Sequence, residues 1–408
     1  MRAAKKHFNI FKSLVLVLTA AFSSLTVRAN LGDLDPTFGV GGEVNEYIGP
    51  GLWITKVLVQ SDGKIVVVGR RKSQLQYQGP VVDVLFIRRY TSTGAFDSNY
   101  QTFFPGIGFD AELQSDGKLV VFGQAPHTFD WNGDTINTKS PIVWRFNADG
   151  TLDSSFGAGG SRFIDTIQSI DYTNYHLEIN AGNIYAAYLS RTPGERPYFY
   201  RVTKFSSTGA YGFTFEPAVR YFSNDGGEKR FSMKVDPANG NILVAGAKPL
   251  TYESILRRYT NLGQVVTTFG TNGESVLPFC SADTHPTDIL IQPDAKILVL
   301  RSKDQSGPSC LSRSLANGGV DPNFIVTYGT YSISRNLWLQ PDGKMFYYTS
   351  SSMWDALKRF NSDGSSDDIF FSGDKYTAQV IQPDQKLVTA EAKCCDFNFI
   401  RLRRRLLD

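Results

Sequence analysis

The sequence predicts an all-β fold: a seven-bladed β-propeller of four-stranded antiparallel blades. Three observations predict it. A turn-and-strand phrase, Gln60-Ser61-Asp62-Gly63-Lys64-Ile65-Val66-Val67-Val68-Gly69, returns in seven copies along the 408 residues. A basic-aromatic phrase such as Arg88-Arg89-Tyr90-Thr91 follows the copies. A linker, Leu152-Asp153-Ser154-Ser155-Phe156-Gly157, has a counterpart at Leu34-Asp35-Pro36-Thr37-Phe38-Gly39. Self-similarity at such a period marks a repeat array rather than two or three unlike domains.

Taken in order, the unit is linker, hairpin phrase, basic-aromatic phrase. The hairpin anchors are Lys64, Lys118, Asn183, Asn241, Lys296, Lys344 and Lys386, spaced from 42 residues (Lys344 to Lys386) to 65 (Lys118 to Asn183). Each unit offers four strands, the complement of a propeller blade. One follows a glycine pair (Gly42-Glu43-Val44). Two flank the Asp-Gly corner, which suits the positive φ angles of a two-residue hairpin. The fourth is the basic-aromatic strand. A fully apolar run such as Ile65 to Val68 implies burial on both faces, as between stacked sheets. The third copy, Asn180-Ala181-Gly182-Asn183, lacks Asp-Gly-Lys, and the fifth basic phrase, Leu311-Ser312-Arg313-Ser314, lacks the aromatic, so the register of those two blades stays open. An open solenoid needs polar caps at its ends. The terminal copies read like internal ones, which favours a closed ring.

The three phrases together resemble the delta-60 repeat of exported bacterial proteins, over nearly the whole of the chain after its N-terminal segment. The resemblance implies a propeller-like β-fold and export, and it brings no catalytic residues to transfer.

Residues 1–29 are read as a secretory signal, and 30–408 as one propeller domain. Arg2, Lys5, Lys6 and Lys12 form a basic start, Leu14 to Leu18 an apolar centre, and Val27-Arg28-Ala29 a small-residue exit. With Arg28, the segment holds five basic residues and no acidic one, so its removal takes the net charge from +3 to −2. The basic balance therefore belongs to the signal, and no general nucleic-acid footprint remains. The expected location is secreted or periplasmic. There an oxidising environment permits disulfides, and Cys280 with Cys310 is the more plausible pair. The adjacent Cys394 and Cys395 would bond only with strain.

Few residues invite chemistry. Asp62, Asp116, Asp294, Asp342 and Asp384 stand at hairpin corners, where a short acceptor satisfies its own backbone. Neighbours on a strand face opposite ways, so one arginine of each Arg-Arg pair should meet a turn aspartate and the other an aromatic ring or solvent. His127, His176 and His285 are scattered, with no Gly-x-Ser-x-Gly elbow and no phosphate loop. Asp130, Asn132 and Asp134 have the spacing of the first three ligands of a calcium loop. Thr135 stands where that loop needs glycine, and Pro141 where it needs glutamate.

The expected function is a non-catalytic scaffold that binds protein or glycan at the cell envelope, as a monomer and without a required cofactor. Connections between strands three and four of the unit vary most (Lys72 to Asp83, Gln124 to Ser140, Leu189 to Pro197, Ala247 to Glu253). Function on a rigid frame gathers on such loops, where Tyr77, Trp131 and Tyr198 would supply aromatic contacts. The alternative is a calcium-dependent hydrolase, lyase or lactonase working in the central channel. An enzyme should bring carboxylates or histidines together at the axis; a scaffold should line it with small and apolar side chains.

Overall fold

The computed structural model describes residues 32–74, 81–131, 134–164, 175–190, 199–219, 231–248, 253–280, 284–303, 309–328, 333–350, 355–371, 378–393 and 398–407. They form seven four-stranded antiparallel sheets. The first strand, β1 (Glu43–Tyr47), belongs to the last blade. Blade 1 runs β2 (Trp53–Val59), β3 (Ile65–Gln74), β4 (Val81–Tyr90) and β5 (Phe96–Pro105) from axis to periphery. In blade 2 the strands are β6 (Ile107–Leu113), β7 (Leu119–Trp131), β8 (Asp134–Phe146) and β9 (Ser161–Phe163). Blade 3 holds β10 (His176–Asn180), β11 (Asn183–Ser190), β12 (Phe199–Phe205) and β13 (Tyr211–Phe215). Next come β14 (Ser232–Val235), β15 (Ile242–Ala247), β16 (Ser254–Tyr259) and β17 (Glu274–Val276) of blade 4. Blade 5 is built from β18 (His285–Ile291), β19 (Ile297–Ser302), β20 (Ser309–Ser314) and β21 (Val320–Tyr328). For blade 6 they are β22 (Ile333–Leu339), β23 (Met345–Ser350), β24 (Asp355–Phe360) and β25 (Ser366–Phe371). Blade 7 takes β26 (Ala378–Ile381), β27 (Leu387–Lys393) and β28 (Phe399–Arg405), and β1 completes it. Among the described residues no helix is long and apolar enough to cross a membrane.

The ring closes through that borrowed strand. Glu43 to Tyr47 pair antiparallel with Arg403 to Phe399, so the two ends of the propeller share one sheet. This shifts the frame read from the sequence by one strand. The strand after each glycine pair is the outermost strand of the blade whose basic-aromatic strand precedes it, not the start of a new unit. The Leu-Asp-x-x-Phe-Gly segment therefore lies inside a blade, between its third and fourth strands. Blades are joined instead by crossings from periphery to axis, such as Pro105-Gly106-Ile107.

Burial follows from the stacking. Ile65, Val66, Val67 and Val68 are all buried, and they alternate between two cores. Ile65 and Val67 pack with Val388, Ala390, Ile400 and Leu402 of blade 7. Val66 and Val68 pack with Ala111, Leu119 and Val121 of blade 2. An apolar run on a strand is thus a seam on each side rather than one core face.

The corners differ from the two-residue reading. In blade 1 the Gln60 N–H donates to the Lys64 carbonyl, the Gly63 N–H donates to the Gln60 carbonyl, and only Gly63 takes positive φ (80°). That is a type I turn closed by a left-handed residue. Asp62 assists from outside, its Oδ1 accepting the Lys64 N–H at 3.1 Å. Where glycine is missing the conformation persists: Ala295 has φ 61° and Gln385 φ 60°. The third copy makes a true two-residue corner, Asn180 pairing Asn183 across Ala181 (φ 48°) and Gly182 (φ 77°). The registers of the worn blades are thereby fixed, and in blade 5 Arg313 pairs Leu298.

Candidate functional site

The basic-aromatic phrase turns out to be a staple. Arg145 Nε lies 2.7 Å from Asp153 Oδ2, and Lys118, just past the corner, reaches the same oxygen at 2.9 Å. The Arg145 guanidinium also sits 4.7 Å from the Phe156 ring centre and donates to the Ser207 carbonyl of the next blade. The set repeats around the ring. Arg404 and Lys386 hold Asp35 at 2.8 and 3.0 Å, with Arg404 over Phe38 and donating to the Ser92 carbonyl of blade 1. Arg313 pairs Asp321 at 2.9 Å, lies over Phe324 and donates to Ser362 of blade 6. Arg89 pairs Asp97 at 2.8 Å and donates to Ala148 of blade 2. The arginines therefore meet the linker aspartates, not the corner aspartates as the sequence suggested. The corner residues Asp62 and Asp294 pair with the following Lys64 and Lys296, at 2.8 and 2.7 Å. These groups hold blades together, and they fix one rim.

The opposite rim carries two ribbons. In blade 2 the inner strand pairs only as far as Ile107 with Gln124. The second and third strands continue together from Ala125 with Ser140 to Trp131 with Asp134. In blade 1 a shorter ribbon ends at Gln74 with Val81. Asp83, near the base of the blade 1 ribbon, lies 4.0 Å from Lys139 of the blade 2 ribbon. His127 stacks on Phe163 with ring centres 4.0 Å apart, and its Nδ1 lies 3.1 Å from Ser140 Oγ. The predicted contacts Tyr77 and Tyr198 lie outside the described residues. So does Asn132, with the side chains of Asp130, Trp131 and Asp134, so the calcium-loop reading also falls outside them. Cys280, in the crossing from blade 4 to blade 5, is joined by a disulfide to Cys310 of β20, with Cα atoms 6.1 Å apart.

The axis is charged, not small and apolar. At one register position of the inner strands, three residues before the strand end (four in β10), stand Lys56, Asp110, His176, Ser232, Asp288, Asn336 and Ala378; two residues later come Leu58, Glu112, Glu178, Lys234, Leu290, Trp338 and Val380. Most of the first set reach the neighbouring blade. Lys56 Nζ lies 2.6 Å from Asp110 Oδ1. Asp110 Oδ2 accepts the Leu177 N–H at 2.9 Å. His176 Nε2 donates to the Phe231 carbonyl at 2.8 Å, and Asp288 Oδ2 accepts the Leu337 N–H at 2.6 Å. Asn336 Nδ2 donates to Gln379 Oε1 at 2.8 Å. In the second set, Lys234 Nζ lies 2.8 Å from Glu178 Oε1. Protein surrounds these groups, yet the axis admits solvent: the Lys56 and Lys234 side chains stay 35% and 36% exposed, their partners Asp110 and Glu178 12%.

Enclosure and charge tune these groups. Burial, reinforced by the Glu178 charge, pushes the Glu112 carboxyl up to about 8 despite Lys56 and Lys234. Burial also raises Glu178 and Asp288. For Lys56 and Lys234 burial works downward, but the facing carboxylates outweigh it and hold both above the ordinary lysine value. Burial lowers His176, which favours the neutral ring. Asp110, His176 and Ser232 occupy one register position in consecutive blades, the residue types of a hydrolytic triad. They are not wired as one. His176 spends Nε2 on a backbone carbonyl, Asp110 is committed to Lys56 and two backbone N–H groups, and Ser232 Oγ has no hydrogen-bond partner among the described residues. No group of three or more His, Cys, Asp or Glu side chains among the described residues could hold a metal ion. Sequence reading missed this cluster because the register position carries a different residue type in each copy. A polar residue three places before the end of an otherwise apolar inner strand was the available signal.

A cleft of about 830 Å³ lies at the periphery between blades 4 and 5. Its charged groups satisfy one another, Glu274 taking Lys248 at 2.8 Å and Arg257 at 2.6 Å.

The family described as "Domain of unknown function (DUF5122) beta-propeller" matches residues 60–100 and 114–156. No curated protein matches the sequence. Among solved structures, a polysaccharide lyase (an ulvan lyase) is 10% identical, with 89% of this chain and 95% of that chain covered and a TM-score of 0.52. Drosophila Semaphorin 2a is 10% identical, with 93% and 77% covered and a TM-score of 0.52. Virginiamycin B lyase from Staphylococcus aureus is 11% identical, with 89% and 99% covered and a TM-score of 0.49. Likeness at such identity carries the fold and not the chemistry: the chain is a repeat-built β-propeller.

Proposed function

We propose that the protein is a non-catalytic binding scaffold, exported from a bacterial cell, that captures a protein or glycan of the cell envelope on its ribbon rim. One observation carries this reading. One rim is locked by repeated Arg–Asp staples and short corners, while on the other the ribbon from Ala125 to Ser140 runs on beyond the strands that flank it. A two-stranded ribbon without further strands is marginal in water by itself. Retaining one on a rigid ring is reasonable where the ribbon contacts something else. The contrast between a stapled rim and a variable one is the usual division between frame and binding surface.

The test replaces residues 125–140 with an Asn-Gly corner and, separately, makes Trp131→Ala. The expected outcome is unchanged circular dichroism and melting, with retention on envelope polysaccharide and envelope-protein fractions falling by about tenfold or more. Retention equal to that of the parent chain would overturn the reading. The charged axis favours a second reading, an enzyme working in the central channel with calcium as the alternative cofactor. Stoichiometric calcium in elemental analysis of the purified protein, with turnover of a polysaccharide or ester, would select it.

A further inference from the structure

We propose that the ribbon rim over blades 7 and 1 binds an acidic polysaccharide of the uronate class, whose sugar rings each carry a carboxylate; this rests on the ribbon-rim reading above and names its ligand. The rim is rich in exposed rings there. Among the described residues seven aromatic side chains are exposed, and four of them, Tyr47 (62%), Trp53 (49%), Phe103 (39%) and Phe399 (37%), stand at the ribbon-rim ends of strands in these two blades. Contacts tie them into one surface. Tyr47 and Phe399 meet edge to face with ring centres 5.2 Å apart. The next residue, Ile48, accepts from Arg71 Nη1 at 3.1 Å through its carbonyl, and the Arg71 guanidinium lies 4.6 Å from the centre of Phe103. Arg70, one position earlier on β3, lies 5.9 Å from the centre of Trp53.

Charge points the same way independently. Among the described residues Arg70, Arg71, Lys72 and Lys139 share this stretch with a single uncommitted carboxylate, Asp83, which lies 3.8 Å from Arg70 and 4.0 Å from Lys139. Glu46 of the clasp strand is already taken by Arg88 at 3.4 Å. Arg71 and the exposed Lys72 have no carboxylate partner among the described residues. Burial and the neighbouring Arg88 charge lower the Arg71 pKa, as expected of a cation without a counter-charge.

This surface selects its ligand. An exposed aromatic ring packs the apolar C–H face of a pyranose, and an arginine suits a planar carboxylate. Sugar hydroxyls donate to Asp83 and accept from Arg70 and Lys139. A neutral glycan would leave the spare cations unmatched. A dense polyanion, such as a nucleic acid or a heavily sulfated chain, would press its charges on Asp83. A protein partner would want the rings contiguous and the charges outside them, whereas here ring and cation alternate. A uronate chain brings its charges at the spacing of its rings.

Calorimetry of the full chain with polygalacturonate tests this, with dextran, dextran sulfate, polyglutamate and single-stranded DNA as controls. Polygalacturonate should bind, more weakly as salt screens the cations, and each control should bind weaker by about tenfold or more. Arg71→Gln should weaken polygalacturonate binding by about tenfold. Trp53→Ala and Tyr47→Ala should each weaken it several-fold while melting close to the parent, and they serve if the Arg71 variant does not fold. No binding of polygalacturonate, equal or tighter binding of any control, or affinity unchanged in all three variants overturns the proposal. Retention of envelope fractions, measured alongside, separates the two readings. A chain that ignores polygalacturonate yet holds envelope material loses this ligand and keeps the binding rim; one that holds neither loses both.

Discussion

Asp153 shows how much of the ring rests on single side chains. Its carboxylate meets Arg145 at 2.7 Å and Lys118 at 2.9 Å and caps its own turn through Ser155. Both partners of the Arg145 pair are nearly buried, at 6% and 7% side-chain exposure. Burial pushes the Asp153 carboxyl up, but hydrogen bonds from Ser155 and Lys118, with the Arg145 charge, outweigh it and leave it well below the ordinary 3.8. A carboxyl depressed on folding stabilises the protein above its unfolded value and loses that contribution as pH falls through the folded one. Asp153→Asn keeps the shape and strands the buried guanidinium, which costs about 3 kcal/mol. Urea unfolding at neutral pH should show that loss, and the gap between parent and variant should narrow as pH falls below 3.8, where the unfolded carboxyl takes up its proton before the folded one does. A gap that stays constant with pH would mean the pair adds nothing beyond packing. Asp35, between Arg404 and Lys386, is the same device in the closing blade, and its carboxyl too is held well below the usual range.

Strands and corners were legible because their signals are local. Asp62-Gly63 marks a corner wherever it stands, and Ile65 to Val68 announces a strand covered on both faces, so blade count and class followed from repetition. The frame was off by one strand, since the basic-aromatic strand and the strand after the glycines pair with each other across a linker that sequence alone presents as a boundary. Arg145 finding Asp153 eight positions on was missed for the same reason. The axial cluster was illegible for a different one. Lys56, Asp110, His176 and Ser232 share a register position but no residue type, and they meet only when the ring closes. The disulfide adds a covalent tie at the element level, fastening the crossing that leaves blade 4 to β20 inside blade 5, across 30 residues of chain. Replacing Cys280 and Cys310 with serine should cost about 3 kcal/mol by loosening that loop in the unfolded chain. The measurement is the shift in melting temperature, with the reduced parent behaving as the variant does. A variant melting with the oxidised parent would show that the crossing is held by packing alone.

On the scale of the whole molecule the decisive feature is the clasp, one blade assembled from both ends of the ring. Glu43 to Tyr47 pair with Arg403 to Phe399, and the Gly32 N–H donates to the Leu406 carbonyl at 2.8 Å. A propeller whose first and last blades met only through side chains would have a seam no stronger than packing. Sharing a strand makes the seam part of a hydrogen-bonded sheet, so opening the ring means breaking that sheet. The repeat offers a direct comparison, because Leu152 to Gly160 of blade 2 is built like Leu34 to Gly42 of blade 7. If residue 407 is joined to residue 32 by a short linker, new ends can be placed between Gly150 and Thr151. Blade 2 then closes with its outermost strand, β9, delivered from the new N-terminus, and the clasp is re-created two blades around the ring. New ends between Pro105 and Gly106 leave every blade contiguous and the closing seam without a shared strand. The first permutant should melt within a few degrees of the parent in one transition, and the second should melt lower by clearly more than that, since about 1 kcal/mol moves the midpoint of a large domain by only a few degrees. Equal melting of the two permutants would mean the blades hold one another by burial alone, and the borrowed strand would be incidental to closure.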